Sequence, residues 1–364
     1  MKKRLVLNLF VIILVLCTIF AFTACNKEDE VNHPDHSSAL TPKVVLFIGD
    51  GMGVNHTYNT ELYTGKQAYF SSFAITTMME TNSLSGTTDS AAAATAMATG
   101  HKVENSILAL GVNNSPIASI TELAKNDLYG TGVVTSDEIT GATPSGFSAH
   151  AKSRNNSAEI LLSQESATLD LLLGEGSYSS VYKERFEQKG WTWAESMNEL
   201  NTEKKRFVAT FDEVVPENGT SEKPTLTELA SYAIDYMETN YPTGYFLMIE
   251  GAKIDKASHK NDVETMIKNH VDFDNAIKTV DQKLASIGGG YSIIVTADHE
   301  TGGLQRAESK DQITNDLYTT TDHTPVNVKL YFKSTLTTVP AILDSELIPN
   351  TDVFRLCKQL LAIA

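Results

Sequence analysis

The sequence predicts an α/β protein, a three-layer αβα sandwich around a largely parallel central sheet. Three observations lead there. Short apolar runs rich in β-branched residues recur along the chain, longer stretches with helical patterning separate them, and most of the runs end abruptly in carboxylate or imidazole side chains. Strands covered on both faces read as continuous apolar runs, and parallel neighbours need a crossover long enough to hold a helix.

In chain order the first strand is Val44–Ile48, closed by Gly49-Asp50-Gly51-Met52-Gly53. Helices are expected over Ser90–Ala98 and Ile117–Asn126, followed by a strand at Gly132–Thr135. The stretch 155–224 holds both tryptophans, Trp191 and Trp193, and several charged clusters, and is expected to form a small inserted cap or side lobe. Leu226–Glu238 reads as a helix, Tyr245–Glu250 as a strand and Val263–Ser286 as a long helix. The apolar run from Tyr291 then leads into Asp298 and His299. Asp311–Thr321 reads as a surface excursion, Val326–Phe332 as a strand and Thr351–Ile363 as a closing helix. Ligands of open α/β sheets bind beyond the carboxyl ends of the strands, where Asp50, Glu250, Asp298 and His299 are expected to meet.

Residues 1–24 read as an address. Met1-Lys2-Lys3-Arg4 is basic, Leu5–Ala24 is almost wholly apolar, and Phe22-Thr23-Ala24 precede Cys25, which resembles a lipoprotein signal peptide with lipidation at Cys25. The alternative is an uncleaved helical anchor, since about 20 apolar residues span a bilayer. Either way the protein is expected to be exported and tethered to a membrane of the envelope. Residues 25–42 are too polar to pack and are expected to be a flexible tether to a folded domain at 43–364. Cys357 is then the one thiol of that domain, so no internal disulfide is expected. A formal charge of −16 disfavours nucleic-acid binding, and an anionic substrate would need fixed cations to reverse the field inside the site.

Three motifs carry chemistry. In Thr87-Thr88-Asp89-Ser90-Ala91-Ala92, a serine enters a run of small helix formers; such a serine is ordinarily a cap, or else a nucleophile whose helix amides hold anionic oxygens. In Glu250-Gly251-Ala252-Lys253-Ile254-Asp255-Lys256-Ala257-Ser258-His259, Asp255 and His259 are four apart, so a helix would put both on one face as ligands of one metal, or as caps and surface groups. In Thr296-Ala297-Asp298-His299-Glu300, a buried strand ends in ionisable groups, which is costly unless they are paired or coordinated. His323, in Thr321-Asp322-His323-Thr324-Pro325, is a further imidazole candidate.

Together with Ala142-Thr143-Pro144 and Ser153-Arg154, these motifs follow an order that resembles the alkaline phosphatase family, from Lys43 to beyond His323. The resemblance makes 43–364 a catalytic domain that hydrolyses phosphate monoesters through a phosphoserine at Ser90. It implies zinc at Asp255, His259 and His323, a second zinc at Asp50, Asp298 and His299 beside Ser90, and magnesium at Asp50, Thr143 and Glu250. Arg154 would bind phosphate through its planar fork, and Lys256 would contact phosphate directly or through water. Asp89 would either orient Arg154 or serve as a helix N-terminal acid. Gly141 departs from the pattern, because many members place an acidic residue or a histidine there to support the third ion. The short stretch between Gly303 and His323 leaves little room for the lobe that joins dimers in some relatives, so a monomer is expected. His33, His36, His56, His101, His150 and His270 match no metal position. Two other readings stay open: a phosphodiesterase or mutase using the same metal pair, and a phosphate-binding lipoprotein without catalysis.

Overall fold

In the computed structural model, which describes residues 42–337 and 339–364, the strands are Lys43–Gly49 (β1), Ile75–Glu80 (β2), Gly130–Glu138 (β3), Leu171–Glu175 (β4), Thr192–Ala194 (β5), Phe207–Phe211 (β6), Tyr245–Gly251 (β7), Tyr291–Thr296 (β8), Glu300–Thr301 (β9), His323–Thr324 (β10), Val328–Ser334 (β11) and Leu347–Pro349 (β12). The α-helices are Val54–Thr64 (α1), Ser90–Thr99 (α2), Ile120–Asn126 (α3), Ala142–Ser148 (α4), Ser157–Ser166 (α5), Ser180–Gln188 (α6), Leu226–Asn240 (α7), Lys253–Ser258 (α8), Val263–Ile287 (α9) and Asp352–Leu360 (α10). The signal, Cys25, His33, His36 and the tether up to residue 41 lie outside the described residues, whereas Pro42, the last residue expected in the tether, is buried and accepts a hydrogen bond from Tyr245 N–H at 3.2 Å, so it belongs to the folded domain. No helix among the described residues is long and apolar enough to cross a membrane.

Among the described residues ten strands form one sheet in the order β12-β2-β11-β8-β1-β7-β3-β4-β6-β5, and of these only β11 runs against the rest. Every residue of β1, β7 and β8 is buried, as continuous apolar runs require when helices cover both faces. Parallel pairing of β1 with β7 and with β8 brings Ile48 level with both Glu250 and Thr296. The carboxyl ends of three adjacent strands therefore open at one edge of the sandwich.

Helix α9 buries Val263, Met266, Ile267, Phe273, Ala276, Ile277, Val280 and Leu284, a stripe of three- and four-residue spacing that packs on α7 and α8. Each large apolar side chain buried this way stabilises the fold by about 1.5–3 kcal/mol. The expected Ile117 start of α3 moves to Ile120, because Ser119 and Glu122 form a reciprocal capping box. Helix α2 is buried on every side, which its alanines permit. At its contact with α4 a Cβ on Gly146 would lie 2.6 Å from the Ala94 Cβ, so only glycine allows that approach.

The cap expected at 155–224 is instead part of the sheet: β4 pairs with β3, β6 with β4, and β5 forms the edge. Leu171–Leu173 and Phe207–Phe211 are short runs between charged segments, and they become strands because β3 offers β4 a free edge and β4 in turn offers one to β6. Trp191 lies buried at this edge beside Phe186 and Trp193, with the Arg206 guanidinium over the Trp191 ring, 4.5 Å from its centroid. Cys357 is a buried free thiol among the described residues.

Candidate active site

Asp50 leaves the end of β1 on a sharp turn. Gly51 sits at φ 70°, where its N–H reaches the Asp298 carboxylate at 3.1 Å, and a Cβ there would meet Thr301 Oγ1 at 2.8 Å and the Asp255 Cα at 2.9 Å. The Gly-Asp-Gly sequence thus serves a close backbone approach. Asp298 and His299 follow β8, and Glu250 belongs to β7. Asp255 lies in α8 and His259 at its C-terminus, with His259 Nε2 3.3 Å from the Asp255 carboxylate. Pairing of β10 with β9 sets His323 opposite Thr301, which returns the 302–322 excursion to the site.

The three imidazoles are oriented alike. Nδ1 of His299 contacts the Thr301 hydroxyl at 3.2 Å, Nδ1 of His323 the Thr88 carbonyl at 2.9 Å, and Nδ1 of His259 the Thr321 carbonyl at 2.5 Å. The two carbonyls can only accept, and the Thr301 hydroxyl gives its own proton to Asp255, so each ring donates from Nδ1 and turns Nε2 inward, the nitrogen that would bind a metal on losing its proton. His299 Nε2 faces Asp298 at 3.1 Å and Asp50 at 3.5 Å, and lies 3.2 Å from the Ser90 hydroxyl. His323 Nε2 lies 3.1 Å from His259 Nε2 and 3.6 Å from the Asp255 carboxylate, while its ring stacks on His299 at 3.5 Å between centroids. Ligand atoms of Asp50, Asp298 and His299, and likewise of Asp255, His299 and His323, fall within 4.8 Å of one another and could hold metal ions. His299 therefore stands between the two groups.

Ser90 opens α2 but does not cap it. The cap is Asp89, which accepts Ala92 N–H on Oδ1 at 2.9 Å, receives Ser106 N–H on Oδ2 at 2.9 Å and pairs there with Arg154 at 3.3 Å. Both roles considered for Asp89 coexist, and the Ser90 oxygen is left facing His299. The Lys256 ammonium pairs with Asp137.

The alkaline phosphatase family profile matches residues 42–172 and 184–346. The chain belongs to the alkaline phosphatase family, a family of phosphate monoester hydrolases. Alkaline phosphatase 4 of Bacillus subtilis (strain 168) is 31% identical over 329 residues, spanning 84% of this chain and 71% of that relative. Alkaline phosphatase 3 of the same organism is 31% identical across 71% of this chain and 61% of its own length. The alkaline phosphatase of the Antarctic bacterium TAB5 shares the fold at a TM-score of 0.75 and 24% identity, covering 88% of this chain and 98% of that one. A mutant of that enzyme is described with Mg bound in its M3 site.

The charges of this family member's site are frustrated without cations. Burial, and then the carboxylates of Asp298, Asp255 and Glu250, raise the Asp50 pKa well above its ordinary 3.8. Burial, and then Asp137, raise Glu250 to about 8. Burial opposes ionisation of Asp298 and Asp255 as well, but His299 and His259 respectively outweigh it and hold both below 3.8. Asp50 Oδ1, Asp298 Oδ2 and Thr143 Oγ1 are buried without a hydrogen-bond partner, although Thr143 lies close enough to Glu250 to ease its charge. Converging lone pairs and unpaired buried oxygens are the signature of a cation site. Two groups mix oxygen with imidazole nitrogen, as zinc prefers, whereas Asp50, Thr143 and Glu250 offer only oxygen, as magnesium prefers.

Sequence reasoning missed Thr301, whose hydroxyl touches Asp255 at 2.5 Å and His299 at 3.2 Å, one residue in each group. It also missed Thr135, which hydrogen-bonds Glu250, and Asp137. The remaining histidines stay apart: His56 and His270 are fully buried, with Nε2 against the Ser258 and Thr57 hydroxyls at 3.1 Å each. Cavities of about 240 and 370 Å³ lie under His150 and beside His270, and neither reaches Ser90, so converging donors rather than empty volume mark the site.

Proposed function

We propose that this chain hydrolyses phosphate monoesters with Ser90 as nucleophile. The observation that carries the reading is the Ser90 hydroxyl beside the inward Nε2 of His299, where Asp50 and Asp298 converge. Zinc held by Asp50, Asp298 and His299, and by Asp255, His259 and His323, would supply Lewis acidity that favours the Ser90 alkoxide and neutralises the departing one. Asp50, Thr143 and Glu250 would hold magnesium, the ion named for the M3 site of the TAB5 mutant.

The chain's own groups then act in order. The Ser90 oxygen, its proton lost to solvent, attacks phosphorus; the new bond forms as the ester bond breaks and the departing alkoxide takes a proton from water, and a second water later opens the phosphoserine, its oxygen joining phosphorus as inorganic phosphate while Ser90 regains a proton. Arg154, kept in place by Asp89, binds two non-bridging oxygens, and Lys256 contacts phosphate directly or through water. Arg154, bound to two phosphate oxygens, would occupy the room a diester's second substituent needs, which favours monoesters over diesters.

Turnover of p-nitrophenyl phosphate and of bis-p-nitrophenyl phosphate tests this, with zinc and magnesium content measured on the same sample. The monoester is expected to be far faster, and Ser90→Ala to reduce its turnover by at least ~10³-fold. Equal or faster diester turnover, or full activity of Ser90→Ala, would reject the reading. The basic, apolar leader before Cys25 supports export and lipid attachment, and the short stretch between Gly303 and His323 supports a monomer. Cys25→Ser should release the protein from membranes and abolish its labelling by a fatty-acid probe.

A further inference from the structure

Gly141 precedes α4, the helix that carries Thr143, and has no side chain to offer the cation site. The space beside it is nevertheless filled. A Cβ at Gly141 would lie 2.9 Å from Asp137 Oδ2 and 2.9 Å from the Glu138 carbonyl, because the turn after β3 folds back through a 2.7 Å hydrogen bond from Gly141 N–H to that carbonyl. Asp137 therefore reaches this position from the end of β3.

Its contacts point to two parts of the site. Oδ1 of Asp137 pairs with the Lys256 ammonium, and its backbone N–H donates at 2.9 Å to the Thr135 hydroxyl, which itself donates to Glu250. Asp50 Oδ1 and Thr143 Oγ1, 7% and 1% exposed as residues, are buried oxygens that make no hydrogen bond, which marks the same corner as a place for a cation. An unbalanced lysine ammonium close to that corner would repel a divalent ion.

We propose that Asp137 is a positioning residue for the cation site of Asp50, Thr143 and Glu250, its carboxylate filling the place Gly141 leaves open, neutralising Lys256 and fixing that ammonium beside the site. The inference rests on reading those three residues as a magnesium site. Its own content is that the supporting carboxylate has moved from position 141 to position 137. Lys256, with 45% of its side chain exposed, would swing freely without it.

Calorimetric titration of magnesium chloride into the zinc-loaded full-length protein in detergent tests the inference without measuring turnover. Asp137→Asn keeps the shape and removes the charge, and should weaken magnesium binding about 10–100-fold, the range for loss of a supporting partner at a metal site. Asp137→Glu should recover most of that loss. In Lys256→Met the Asp137→Asn change should cost much less, because no ammonium remains to be neutralised. Absence of magnesium binding by the unaltered protein would sink the cation-site reading itself. If Glu250→Gln loses magnesium while Asp137→Asn binds as tightly as the unaltered protein, only the role of Asp137 is overturned. That role is equally overturned if Asp137→Asn lowers the melting temperature without changing the magnesium Kd.

Discussion

His259 and His150 each rest Nδ1 on a backbone carbonyl, that of Thr321 at 2.5 Å and that of Ala109 at 2.8 Å, and each turns Nε2 to a carboxylate, Asp255 at 3.3 Å and Glu122 at 3.1 Å. Both have a raised pKa. At His259 the Asp255 hydrogen bond leads and lifts it to about 9, whereas at His150 burial opposes protonation and Glu122 with the Ala109 carbonyl overcomes it. Local geometry and basicity do not separate the two. The difference is the third group: His323 Nε2 stands 3.1 Å from His259 Nε2, and two ring nitrogens converging with a carboxylate call for a cation. His150 has no such neighbour among its described contacts, and its backbone N–H is satisfied by Ser163 at 2.9 Å. A carbonyl and a carboxylate make a staple, and a second inward nitrogen is what the proposed metal site adds to it.

Replacing each histidine by alanine is the strongest way to break the comparison. His259→Ala should lower kcat/KM for a monoester by at least ~10²-fold, reduce bound zinc toward one equivalent per chain, and regain part of its activity at high zinc. His150→Ala should leave zinc content and kcat/KM unchanged and lower stability by about 1 kcal/mol. Mass-spectrometric metal analysis beside steady-state kinetics reads both, and full zinc content in His259→Ala would contradict the assignment.

Thr301 sharpens the contrast, since it sets the ring proton of His299 and bonds Asp255 with one hydroxyl. Thr301→Val keeps its volume and removes both contacts, and should cost about 10–100-fold in zinc affinity or activity. Competition with a zinc chelator measures it. A variant that holds zinc as tightly as the parent would show that the rings are oriented by packing alone.

The parts of this arrangement legible in the sequence are those where one local pattern carries the meaning. An apolar run that stops at an acid marks Asp50, Glu250 and Asp298, because no buried strand end tolerates an uncompensated carboxylate. A four-residue spacing marks Asp255 and His259. His323 is legible only through the order of motifs, since its place depends on β10 pairing with β9 across a 302–322 excursion. Thr301, Thr135 and Asp137 carry no local sign, because the groups that give them meaning lie on other strands and helices. Helix α1 escapes sequence reasoning for a related reason. Its buried face includes His56, Thr57, Asn59 and Thr60 in place of an apolar stripe, and Asn59 holds it by hydrogen bonds to Gln305 O at 2.8 Å and Ala307 N–H at 3.0 Å. The strands β4, β6 and β5 at one end of the sheet resemble a separate lobe in the sequence because a short run becomes a strand only when a neighbouring strand is available to pair with it.

The smallest expected effect belongs to the staple. In the folded protein His150 is raised above its ordinary 6.5, so its contribution is complete below that pH and is lost as pH rises through the folded value. Glu122 is lowered below its ordinary 4.5, despite burial, so its contribution is complete above that pH and is lost as pH falls through the folded value. The pair is therefore at full strength between 4.5 and 6.5. Glu122→Gln should be less stable by about 0.5–1 kcal/mol in that window, a figure kept small because the Glu122 side chain is 35% exposed and solvent screens the pair. On the alkaline side, where His150 is neutral, the gap in melting temperature should close while kcat/KM matches the parent at every pH. A gap that stays constant up to alkaline pH would mean that Glu122 acts through its capping bonds to Ser119 rather than through His150, and the likeness between the two histidines would then end at their geometry.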